Sequence, residues 1–136
     1  MNVNYLLAGT LAYLVPSFII AAPWHLKIFA GYYQKLEIYR EDIIMPFGIM
    51  ALTIQGVIYA VMYAALFADG PTLINGLKFA VFAGLLGFSY TVLPVAAKHP
   101  MTSVSGFIKI ETAFNAVQFL AVGPAIALAY AFFGAG

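Results

Sequence analysis

Four stretches of this chain are apolar over the length needed to cross a hydrocarbon core: Asn4–Ala22, Ile43–Phe67, Leu77–Ala97 and residues 106–133. A core about 30 Å thick takes about 20 residues of helix, and in lipid the backbone must satisfy its own hydrogen bonds within each crossing. The runs are continuous, whereas barrel strands alternate over about ten residues, so helices are expected. The sequence therefore predicts an all-α integral membrane four-helix bundle, a single transmembrane domain over residues 1–136. The N-terminal run lacks the basic flank of a cleavable signal peptide and is expected to be a retained first helix.

Composition agrees with lipid as the solvent. The chain is 64% hydrophobic and 8% charged, with mean hydropathy +0.97, outside the range of soluble domains. A net charge of +1 gives no basic face for nucleic acid. With no cysteine, disulfides, iron–sulfur clusters and cysteine nucleophiles are excluded. Two histidines and one carboxylate below the headgroups make no recognisable catalytic set, and no Gly-rich phosphate loop or G-x-S-x-G is present. A non-enzymatic protein is expected.

The connections differ. ADGPTLING, with Asp69-Gly70-Pro71 and a second breaker at Asn75-Gly76, reads as a tight turn, and AAKHPMTSVSG is also short. Residues 24–41 are longer, and the stretch Ala22–Asp42 gathers three of the six basic and three of the five acidic residues. Leu26, Phe29, Tyr33, Leu36 and Tyr39 recur at helical spacing opposite Lys27, Gln34 and Glu41, the pattern of an amphipathic helix lying at the interface, with Gly31 weakening its middle. Trp24, Lys27, Phe29, Tyr33, Lys35, Tyr39 and Arg40 are expected to meet lipid headgroups or a partner subunit there. Lys27, Lys35, Arg40 and Lys98 fall in the first and third connections, so the positive-inside rule puts both chain ends on the non-cytoplasmic side.

Polar residues within the spans are candidate functional groups, because burying them in lipid is costly. Glu111, Asn115 and Gln118 form one stripe at i, i+4 and i+7. Glu111 is expected either in the first turn of its helix, where the dipole favours a carboxylate, or embedded, where it could take a proton or a ligand. Gln55, Tyr59 and Tyr63 make a second stripe, and Thr10, Tyr13 and Ser17 a third. Together they form interhelical hydrogen bonds or line a small pocket. Gly123-Pro124 is expected to kink the last helix. His25 and His99 follow spans one and three, with Met45 and Met101 at similar depth, a donor set that suits haem or copper if the helix ends are neighbours. A faint echo between Ala8–Ala22 and Ala83–Ala97 allows a parallel two-plus-two repeat.

With its short loops, the aromatic Trp24-His25 pair after the first span and a longest final helix, the chain resembles the small, uncharacterised four-helix proteins of bacterial inner membranes. That resemblance implies a multi-pass cell-membrane protein and carries over no site residues. Small multidrug resistance transporters share the size and the four spans, but their essential glutamate stands in the first helix, and Asn4–Ala22 contains no acidic residue. The function expected from the sequence is an accessory or assembly subunit packing against a larger membrane complex or against copies of itself. A small dimeric proton-coupled carrier using Glu111 is the alternative.

Overall fold

The computed structural model describes residues 2–67 and 70–134, and every regular element among them is helical. Four helices are long and apolar enough to span a membrane: α1 (Val3–Ile28), α3 (Met45–Leu66), α4 (Leu73–Lys98) and α5 (Val104–Phe133). A short α2 (Ala30–Leu36) lies between the first two. The chain is a multi-pass membrane protein by this architecture. Asp69, part of the expected tight turn, lies outside the described residues.

Helix starts are set by side chains that accept from otherwise unpartnered backbone N–H groups. Asn2 accepts from Tyr5 N at 2.7 Å and also donates from Nδ2 to the Phe133 carbonyl at 2.8 Å, tying the start of α1 to the end of α5. Thr72 accepts from Asn75 N, and Ser103 from Gly106 N, both at 3.1 Å. Asn75-Gly76, read from sequence as a breaker, therefore lies inside the first turn of α4, because Thr72 caps the helix before it. α5 runs as helix through Gly123-Pro124.

The helices pack in the order α3, α1, α5, α4. The three neighbouring pairs approach closely, with small residues at the crossings. A Cβ added to Gly9 would lie 2.8 Å from the Ala60 Cβ, and one added to Gly76 would lie 3.0 Å from the Gly123 carbonyl. Lipid supplies no hydrophobic drive between helices, so such close approach is what holds them together. The fourth side, between α3 and α4, has little close backbone contact. It is bridged by rings instead: Tyr63 lies 5.3 Å and Tyr59 6.0 Å from Phe79, edge to face. A two-plus-two repeat would make the α3–α4 approach equivalent to the α1–α5 approach. Only the latter is close, so the packing does not repeat.

Two helices carry a π segment, Trp24–Ile28 in α1 and Phe88–Val92 in α4. In α4 the cause is local. Pro94 has no N–H to return to the preceding turn, and Thr91 donates its hydroxyl to the Gly87 carbonyl at 2.7 Å. In α1 the segment follows Pro23 and closes with Phe29 N donating to the Trp24 carbonyl at 3.0 Å.

The connection expected as one amphipathic elbow is divided differently. Trp24–Ile28 continues the first span, α2 is only seven residues long, and Glu37, in the left-handed region at φ 58°, ends it. Tyr33, expected among the interfacial aromatics, is buried with Leu36 in a small core with Val92 and Phe107. Trp24 and Phe29 are half-buried, whereas Lys27, Lys35, Tyr39 and Arg40 are exposed.

Candidate functional site

Where α3 and α4 stand apart, a cavity of about 630 Å³ runs between them, backed by α1 and α5 and bordered by the segment after α2. Its walls are mainly apolar, with polar groups from each surrounding helix, the character of a small-molecule site. Both π segments reach it: His25 comes from the one in α1, and Tyr90 and Thr91 from the one in α4. Single π turns of this kind often mark functional positions because they re-aim a few side chains without ending the helix.

Glu111 is the central group. α5 begins at Val104, so Glu111 stands about two turns inside the helix and not in its first turn. Its side chain is 15% exposed. The Tyr33 hydroxyl donates to Oε1 at 2.5 Å, from a side chain buried to 1% exposure. Burial, together with the bond to Glu111, pushes the Tyr33 phenol above its ordinary value, so at neutral pH it remains a donor. His25 Nδ1 lies 4.0 Å from the same carboxylate oxygen and 2.8 Å from the Tyr39 hydroxyl. The His25 ring packs against Phe114 and Tyr33, with centroids 4.5 and 4.8 Å away. At the mouth Arg40 is committed to Asp42 through two bonds of 2.9 and 3.0 Å, which hold the Asp42 carboxyl below the usual carboxylate range.

The rest of the stripe on α5 is also tied in. Asn115 donates from Nδ2 to the Gly84 carbonyl at 2.8 Å, joining α5 to α4. Gln118 donates from Nε2 to Ser17 at 2.9 Å and to Tyr13 at 3.3 Å, and Tyr13 in turn donates to Gln55 Oε1 at 2.7 Å. Three helices are thus joined by one polar chain. Glu111, Asn115, Gln118 and Gln55, expected from sequence as one site, do share the cavity wall. Tyr59 stands behind it, its hydroxyl 2.8 Å from that of Tyr90. Tyr63 does not join them. It is fully buried toward the other end of the bundle, and its hydroxyl has no hydrogen-bond partner among the described residues.

The two histidines are not brought together at the cavity. His25 and Met45 line it, while His99 is exposed beyond the end of α4 and Met101 packs on the Tyr33 core. Among the described residues no group of three or more His, Cys, Asp or Glu is placed to hold a metal ion.

Two functional residues escape sequence reasoning. Tyr33 reaches Glu111 across 78 positions of sequence, and no periodicity links them. Tyr90 carried one usable signal, its position four residues before Pro94, where a helix must deform. No protein-family model, curated protein or solved structure matches this chain.

Proposed function

We propose that this is a non-enzymatic membrane protein that binds a small molecule in the cavity between α3 and α4, with Glu111 as its ligand or proton site, in the manner of a small carrier. The observation that supports the reading is the cavity itself. A 630 Å³ space lined by a carboxylate, an imidazole and three side-chain amides is costly to keep beside lipid unless something fills it. The accessory-subunit reading rests on short loops, polar stripes suited to helix pairing and the aromatics and charges after the first span, and the polar stripes bond one another within a single copy of the chain. Lys27, Lys35, Arg40 and Lys98 lie at the helix ends and in the connections at the cavity end, so by the positive-inside rule the cavity faces the cytoplasm and both chain ends face away from it. The bacterial inner membrane is the setting this reading favours.

The test is extraction. Wild-type protein and Ala51→Trp, which fills the cavity from α3, are purified in mild detergent and their bound small molecules compared by mass spectrometry. A compound present near one per chain in the wild type and lost in the variant is expected. Identical extracts from two folded proteins overturn the reading.

A further inference from the structure

The geometry points to a protonated lipophilic amine as the ligand, its ammonium group seated on the α5 stripe and its apolar body lying along α3. This rests on the reading of the cavity as a ligand site and names the chemistry of its occupant.

Which atoms remain free decides the chemistry. Along Glu111, Asn115 and Gln118 the donors are already spent: Asn115 Nδ2 on the Gly84 carbonyl, and Gln118 Nε2 on Ser17 and Tyr13. A backbone carbonyl can only accept, which fixes the Asn115 amide with its nitrogen toward Gly84 and its oxygen away. Tyr33 supplies a donor to Glu111 Oε1. Among the described residues, no donor reaches Glu111 Oε2, Asn115 Oδ1 or Gln118 Oε1. Acceptors therefore remain along one helical face, one of them a carboxylate oxygen, and a primary ammonium seated at Glu111 brings donors and a positive charge.

The charges facing the cavity agree. Arg40 is neutralised by Asp42 in a two-bond pair, and among the described residues Glu111 is the one carboxylate lining the cavity, with no Lys or Arg bound to it. Tyr39, Phe114 and the His25 ring stand beside it, a cluster of rings of the kind that favours a cation. Beyond the stripe the wall turns apolar through Ile49, Leu52 and Phe18, and it opens where Ile43, Ile44 and Tyr90 are exposed. An amphiphile fits this gradient with its head inward.

The chain supplies its own reporter. Trp24 is the single tryptophan, and its ring lies 5.8 Å from Phe114 on the cavity wall. Wild-type protein in lipid nanodiscs is titrated with 4-phenylbutylamine, 4-phenylbutanol, 4-phenylbutanoate and 4-phenylbutyltrimethylammonium, following Trp24 emission and heat. The amine is expected to bind at least about tenfold more tightly than the alcohol, the size of one charge-assisted contact. The trimethylammonium, cationic but without donors, is expected between them, and the carboxylate last. In Glu111→Gln, which keeps an acceptor for Tyr33, the preference for the amine is expected to vanish.

If the alcohol binds as tightly as the amine, or the carboxylate more tightly, the amine assignment is overturned while the cavity remains a ligand site. If no probe binds and Ala51→Trp changes nothing, the ligand-site reading falls with it. The wild-type comparison decides even if Glu111→Gln fails to fold.

Discussion

The two ends of this bundle are built from the same residue types and behave differently. At the end holding the start of α1 and the finish of α5, tyrosines pack ring on ring: Tyr5 lies 4.8 Å and Tyr63 5.7 Å from Tyr130. There α4 and α5 meet at Gly76 and Gly123, where a Cβ on Gly123 would run into the Gly76 carbonyl. At the other end the tyrosines Tyr33, Tyr39 and Tyr90 use their hydroxyls on Glu111, His25 and Tyr59. Residues 41–50 are all exposed, the first turns of α3 among them. In one place tyrosine works through its ring, its hydroxyl bonding backbone where it bonds at all, as Tyr5 does to the Ala60 carbonyl at 2.6 Å, and in the other it is an arm that bonds other side chains. The backbone spacing decides which: closely spaced helices leave room for rings and a backbone carbonyl, while α3 standing away from α4 leaves a cavity for polar tips to line.

If that contrast is right, one methyl group should have opposite effects at the two ends. Gly123→Ala forces α4 and α5 apart and is expected to cost about 1–3 kcal/mol, read as unfolding in mixed detergent and denaturing-detergent micelles. Gly48→Ala, where nothing lies within 4 Å of the added Cβ, is expected to leave stability unchanged or raise it by about 0.5 kcal/mol. Equal losses at both sites would erase the distinction.

A smaller effect is expected at the boundary between the ends. Gln118→Leu removes the donor shared by Tyr13 and Ser17 and should cost about 1 kcal/mol, since interhelical hydrogen bonds in membranes average about 0.6 kcal/mol and Ser17 is left buried with one partner fewer. A loss below the precision of the measurement would show that the polar chain does not join the three helices.

The smallest change sharpens the comparison most. Tyr63→Phe deletes a buried hydroxyl that has no partner among the described residues, so stability should stay within about 0.5 kcal/mol or rise. Tyr59→Phe breaks the bond to Tyr90 and should cost about 0.6 kcal/mol. A clear loss at Tyr63 would mean that its hydroxyl is satisfied in the membrane after all.

Much of the site was legible as faces and almost none of it as contacts. Helical spacing alone put Glu111, Asn115 and Gln118 on one stripe and Gln55 on another, and the structure sets both on the same wall. It also joined Tyr63 to Gln55, because a 3.6-residue period has no knowledge of depth. The stripe on α3 starts in the cavity and ends in the closed core. The depth of Glu111 was open for a related reason. Its distance from the helix start depends on where the cap falls, and Ser103 competes for that role with no sequence mark to separate it from neighbouring hydroxyl residues.

What the amino-acid order determines by itself is the number of crossings, because each apolar run must close its own backbone hydrogen bonds in lipid and the run lengths match the core. What only the folded molecule decides is which helices touch. Attraction between helices in lipid depends on how closely two particular surfaces fit and not on how apolar they are. So the choice of α1 and α5 as neighbours, the gap left between α3 and α4, and the meeting of Tyr33 with Glu111 are properties of shape in three dimensions that no one-dimensional pattern carries.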